Sequence, residues 1–168
     1  MTISFILQIS AAVLAGAALA TFLLPGKVKV TRSAVVAASP AEVIAMASST
    51  EGYQRFNPYK ATDPNLKIIP FGPASGTGSG FHFEGKEGKG SQTVASVTAD
   101  KVTYAIDLGP MGQPTQSIAV RPVSNGTEVT WSMEADMGLH PIFRVFGLFM
   151  DRMMGAVFTR GLSNIANA

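Results

Sequence analysis

The stretch "PIFRVFGLFMDRMMGAVFTRGL", Pro141 to Leu162, decides how this chain folds. A proline opens it and no further proline or turn cluster interrupts it, which predicts a helix of about five to six turns. At about 100° per residue, Phe143, Phe146, Met150, Met153, Met154 and Val157 fall on one side, with Arg144, Asp151, Arg152 and Thr159 near the other. Such a helix covers something apolar. It does so with thioethers, which fill irregular or adjustable space better than branched aliphatics do. Whether that space is a packed core or a ligand chamber is the functional question.

Outward from this helix, the chain reads as one α+β domain from Lys27 to its end. Lys27 to Ala37 is rich in β-branched residues and predicts a strand. "SPAE" follows, with Ser39 as N-cap, Pro40 at N1 and Glu42 at N3, a capping box that starts a helix through about Ser48. "STEGYQRFNPY" predicts a short helix or turn ending near Pro58. Runs with period-two alternation then cover Leu66–Phe71, Gly78–Glu84, Ser91–Val97, Lys101–Leu108, Thr115–Val123 and Thr127–Asp136. Asn125-Gly126 marks a hairpin between the last two. "GTGSG" lacks the Lys-Ser/Thr and the helix of a phosphate loop and predicts a hairpin connection.

The order of one strand, two short helices, six strands and a long helix resembles the START-like helix-grip fold, specifically the polyketide cyclase/lipid-transport (SRPBCC) superfamily. The pieces that carry the resemblance are "SPAEVIAMASSTEGYQRFNPY", "GTGSGFHFEGKEGKGSQTV", "NGTEVTWSM" and "FTRGLSNI", in that order. None is a catalytic signature. Related sequences often have tryptophan where Tyr53 and Phe56 stand here, so the resemblance does not carry a substrate class over. It implies a curved antiparallel sheet wrapped on the long C-terminal helix, with an apolar cavity between them for a lipid-like or polycyclic small molecule.

Strand parity sets residues against that picture. Phe81 and Phe83 share one face of their strand, as do Val102, Tyr104, Ile106 and Leu108 of theirs, and Val129, Trp131 and Met133 of the last. With Phe146, Met150 and Met154 from the helix, and Tyr53 and Phe56 at one rim, they give the candidate ligand-binding set. A solid core of the same residues is the competing reading. His82, Glu84, Asp107, Glu128, Glu134 and Asp136 alternate with the inward set and point to solvent, where no general acid or base reaches a substrate. No catalytic residue is assigned. His140 precedes Pro141 and is expected to cap the helix. Tyr104 and Tyr53 carry hydroxyls that would bond either a ligand or the backbone. Val145, Leu148 and Phe149 interrupt the polar side of the helix. They would meet a bilayer or a partner, or pack under a loop.

Composition sets the remaining bounds. Thirteen basic and eleven acidic residues leave a net charge of +2, with no basic stripe, which excludes a nucleic-acid interface. Cysteine is absent, and the two histidines lie far apart, so no metal site and no cofactor is expected. The hydrophobic content of 46% has a local source, the 22-residue uncharged run Ile3 to Leu24. At about 33 Å as a helix it is long enough to cross a bilayer, and it predicts a transmembrane anchor over 1–26 ahead of the domain at 27–168. A signal peptide cut after Ala18-Leu19-Ala20 is the rival. Lys27, Lys29 and Arg32 beyond the run place the domain on the cytoplasmic side of the cell membrane. Ala12, Gly16 and Ala20 form a small-residue stripe. Three functions remain: a membrane-anchored carrier of an apolar small molecule, a cyclase- or dehydratase-like enzyme, and a partner-binding module with a filled core. Oligomeric state stays open.

Overall fold

Each segment that alternates in sequence becomes a strand, and all of them join one sheet. The computed structural model describes residues 3–168; Met1 and Thr2, which begin the expected anchor segment, lie outside them. Helix α1 (Ile3–Ala20) precedes β1 (Lys27–Val36), α2 (Pro40–Ala47) and α3 (Thr50–Phe56). Then come β2 (Lys67–Phe71), β3 (Gly80–Gly85), β4 (Gly88–Val97), β5 (Lys101–Asp107), β6 (Thr115–Val123) and β7 (Gly126–Asp136), and α4 (Pro141–Ala166) closes the chain. The seven strands run antiparallel in the order β1-β7-β6-β5-β4-β3-β2. This is the expected α+β helix-grip arrangement.

Local chemistry sets the boundaries. The Ser39 hydroxyl accepts from the Glu42 amide at 3.3 Å, while a Glu42 carboxylate oxygen accepts from the Ser39 amide at 2.7 Å, completing the capping box. The Ser39 hydrogen bond also lowers the Glu42 pKa. In the last hairpin Val123 pairs with Gly126, so Ser124 and Asn125 form the turn and Gly126, at φ 141°, enters the strand. A bulge between Val94 and Ser96 shifts the register of β4 against β5. His140 occupies the N-cap of α4, but its side chain makes no capping bond and lies against the Phe143 ring at 5.0 Å.

Helix α4 lies chiefly along β1, the edge strand, and its seat is marked by glycines. A Cβ on Gly147 would stand 2.9 Å from Val28, and one on Gly161 would stand 2.3 Å from the Trp131 ring. At Gly155 the Arg32 guanidinium crosses beneath the helix to reach both carboxylate oxygens of Asp151, each at 3.0 Å. Gly147, Gly155, Phe158, Gly161, Leu162 and Ile165 are the buried residues of α4. The seat is therefore rotated away from the Phe/Met stripe read from sequence. Phe143, Phe146 and Met153 point outward.

The N-terminal helix is shorter than the uncharged run Ile3 to Leu24 from which the anchor was expected. The α-helix stops at Ala20, and Thr21–Leu23 tightens into a 3-10 turn closed by the Leu24 amide on the Thr21 carbonyl. The 18 residues of α1 span about 27 Å at 1.5 Å per residue. Among the described residues no helix is long and apolar enough to cross a membrane.

The glycine seat gives a contrast. Gly161→Ala drives a methyl into the fixed Trp131 ring and is expected to cost about 1–3 kcal/mol, against a helix-propensity gain of at most about 1. Gly155→Ala meets only the far end of the Arg32 side chain, which yields by giving up its exposed pair with Asp151, and is expected to cost less than Gly161→Ala. Urea unfolding of both variants checks the difference.

Candidate functional site

The side chains expected to line a chamber meet one another instead. Strands β3, β5 and β7 turn Phe81, Tyr104, Trp131 and Met133 inward, and α3 brings Tyr53 and Phe56 onto them; all six are buried. Trp131 lies flat on Phe158, with centroids 5.0 Å apart and planes 9° apart. Its other neighbours stand edge-on, Phe56 at 5.7 Å and Tyr53 at 6.1 Å. Tyr53 also touches Phe56 at 4.7 Å, Phe81 at 5.4 Å and Tyr104 at 5.6 Å. Tyr53 and Phe56 thus sit at the centre, not at a rim. Phe83, Met150 and Met154 are half-buried against this cluster. Phe146 is 45% exposed.

The void left beside the cluster is about 10 Å³, room for roughly one water molecule. Its lining is partly polar: Ser49, Thr50, Ser79 and Gln92 join Tyr53 and Tyr104. These groups already have partners. The Tyr104 hydroxyl donates to the Ala47 carbonyl at 2.7 Å, and the Trp131 indole N–H donates to Gln116 Oε1 at 3.0 Å. Thr50 donates to the Gly80 carbonyl at 3.0 Å. Burial raises the Tyr53 pKa despite a Gln92 hydrogen bond, raises that of Tyr104, and pushes Tyr59 up to about 12. A larger groove of about 210 Å³ lies on the outer sheet face, lined by Lys29, Thr103, Ser117, Ser132 and Glu134. It is a hydroxyl- and charge-lined surface, unsuited to an apolar guest.

The carboxylates fall where parity sets them. Glu134 pairs with Lys29 at 2.8 Å and Glu128 with Arg121 at 2.8 Å. Asp107 and Asp136 accept backbone amides of the following turns. Among the described residues no group of three or more His, Asp or Glu could hold a metal ion. Sequence reasoning missed buried Gln92 and Gln116, although each alternates inward with Val94 or Ile118. It also missed Asp63, a loop carboxylate that accepts the Lys86 and Asn65 amides and ties down the β3–β4 turn.

Residues 27–168 match the family described as polyketide cyclase / dehydrase and lipid transport. The chain belongs to this family. Solved structures agree on the fold. A protein from Thermobifida fusca has a TM-score of 0.61 at 18% identity, covering 82% of this chain and 90% of that one. The di-domain ARO/CYC StfQ from the steffimycin biosynthetic pathway has a TM-score of 0.60 at 12% identity, covering 82% of this chain and 49% of that one. Ara h 8.0201 has a TM-score of 0.60 at 10% identity, covering 85% of this chain and 100% of that one. A search of curated proteins gives no match. At these identities the likeness shows the fold alone, and family membership leaves the contents of the interior to be read from this chain's own side chains.

The tyrosines set an alkaline limit. Unfolded tyrosine ionises near pH 10, while folded Tyr53, Tyr59 and Tyr104 hold their protons to higher pH. The unfolded state therefore binds fewer protons above about pH 10, and stability falls there by about 1.4 kcal/mol per pH unit for each such group. Below pH 10 this contribution is fully present. Tyrosinate absorbance from Tyr53 and Tyr104 is expected to rise only together with loss of structure, after Tyr59, pushed up to about 12, has begun to ionise.

Proposed function

We propose that this chain is a non-catalytic binding protein whose working surface is the outward face of the first half of α4, mounted on a helix-grip interior that serves as a packed core. The observation that carries this reading is a pairing. The void beside the aromatic cluster holds about 10 Å³, against the ~300 Å³ or more of a small-molecule pocket. Outside, Leu139, Ile142, Phe143, Val145, Phe146, Leu148, Phe149 and Met153 stand 40–72% exposed on one short stretch of chain. Contiguous apolar surface of this kind marks a contact site. The enzyme alternative pairs Tyr104 with an inward-turned His or carboxylate, whereas the strand carboxylates and His82 face outward and the Tyr104 hydroxyl is bonded to the Ala47 carbonyl.

The family's lipid-transport description keeps a second reading in play, and Met150 and Met154 favour it. Both are half-buried thioethers at the margin of the cluster, able to reorient around a guest. A carrier of an apolar small molecule would need the first half of α4 to lift from β1. As for location, the cytoplasmic side of the cell membrane has one support, Lys27, Lys29 and Arg32 after the uncharged run.

Native mass spectrometry of the full chain purified under mild conditions separates the two. The filled-core reading expects the bare mass. One apolar molecule recovered per chain would overturn it in favour of the carrier. Leu148→Glu with Phe149→Glu is expected to leave urea stability within about 1 kcal/mol while abolishing retention on a hydrophobic column.

A further inference from the structure

The apolar face of α4 needs a partner, and its shape and charge say which kind. Taken at about 100° per residue, Ile142, Phe143, Phe146, Leu148 and Phe149 spread over about 220° of the helix circumference. An amphipathic helix seated in a protein groove needs a stripe of only a little over about 100°. An arc this wide fits a medium that surrounds a helix on several sides. The buried seat, Gly147, Phe158 and Ile165, lies opposite.

The polar residues are sorted along the helix. From Met137 to Met150 there is no carboxylate. Asp151 is turned under the helix onto Arg32, which also holds its pKa down. Beyond that point the outward side carries Arg152 and Arg160, both exposed. They stand about 15 Å and 27 Å along the axis from Ile142 at 1.5 Å per residue. The face is therefore an apolar tip followed by cations.

The tip also continues into the N-terminal segment. Arg144 donates to the carbonyls of Phe22 at 2.9 Å, Leu24 at 3.0 Å and Gly138 at 2.9 Å, and its guanidinium stands 5.6 Å from the Phe22 ring centre. This clasp sets Phe22 and Leu23, 47% and 87% exposed, beside the α4 face. The charge-free run Ile3–Leu24 leads away from it. The Arg144 guanidinium keeps its charge but is turned onto three carbonyls, on the side of the helix away from the apolar arc.

Resting on the contact-surface reading above, we propose that this face docks on a lipid bilayer bearing anionic headgroups, with the tip of α4 and the Phe22–Leu23 turn sunk into the acyl boundary. Arg152 and Arg160 then lie at phosphate level, their stems along the apolar phase and their guanidinium groups on the headgroups. Docking of this kind is superficial and requires no membrane-spanning helix.

Vesicle flotation of the full chain tests it, using phosphatidylcholine vesicles with and without about one quarter phosphatidylglycerol. Binding is expected, several-fold stronger to the anionic vesicles and weakened by salt. Leu148→Glu with Phe149→Glu is expected to lower it at least tenfold while α1 stays intact. Arg152→Glu with Arg160→Glu is expected to remove the anionic preference. A Phe146→Trp reporter should shift to the blue on vesicles and be quenched by brominated acyl chains, against the buried Trp131 background. Wild-type binding by the Leu148/Phe149 variant would overturn the proposal, since α1 alone would then bind. So would a stable dimer, abolished by those same substitutions and blind to vesicles, although the contact-surface reading would survive it. If those substitutions change neither flotation nor column retention, the contact-surface reading fails as well.

Discussion

Everything in this molecule is arranged around the contact of Trp131 with α4. The ring is held at one end by Gln116, lies flat on Phe158 and has no side chain at Gly161 to keep it from the helix backbone. That close approach draws α4 down onto the sheet. Tyr53 and Phe56 close over the other side of the indole. The space between the sheet and the C-terminal half of α4 is thereby filled with ring contacts. Aromatic side chains bury more area than any others, and edge-to-face and stacked pairs add to it. The interior is therefore expected to be the most stable part of the protein.

Filling the inside moves the chemistry to the outside. With Trp131 and Phe158 in contact, the C-terminal half of α4 is committed to the core, and the first half runs along edge strand β1 with its apolar residues outward. Arg32 and Asp151 fix the rotation of the helix at its midpoint, and Arg144 fixes the Phe22–Leu24 turn beside its N-terminal end. These contacts hold a large apolar surface in one orientation, against the ordinary drive to bury it.

The sheet was legible in the sequence because period-two alternation reports directly on facing. The inward set at Phe81, Tyr104, Trp131 and Met133 and the outward carboxylates were all readable that way, as was the capping box at Ser39 and Glu42. The rotation of α4 was not. Hydrophobic periodicity weighs large apolar side chains, and here the helix is seated on glycines, which carry no such signal. Phe143, Phe146 and Met153 consequently looked like a buried stripe although they face outward. The filling of the interior was equally hidden: a row of inward aromatics has the same pattern whether it lines a void or closes it. That depends on how near the helix approaches, which Gly161 sets. The apolar run at the N-terminus showed its composition but not the 3-10 turn that ends the helix at Ala20.

The central claim is that no guest-sized space lies between the sheet and α4. A crystal structure of the full chain under xenon pressure tests it most directly, because xenon enters dry apolar cavities and leaves packed cores alone. The account predicts no xenon among Trp131, Phe158, Tyr53 and Met154. Xenon bound there, or elongated apolar density separating Trp131 from Phe158, would contradict it.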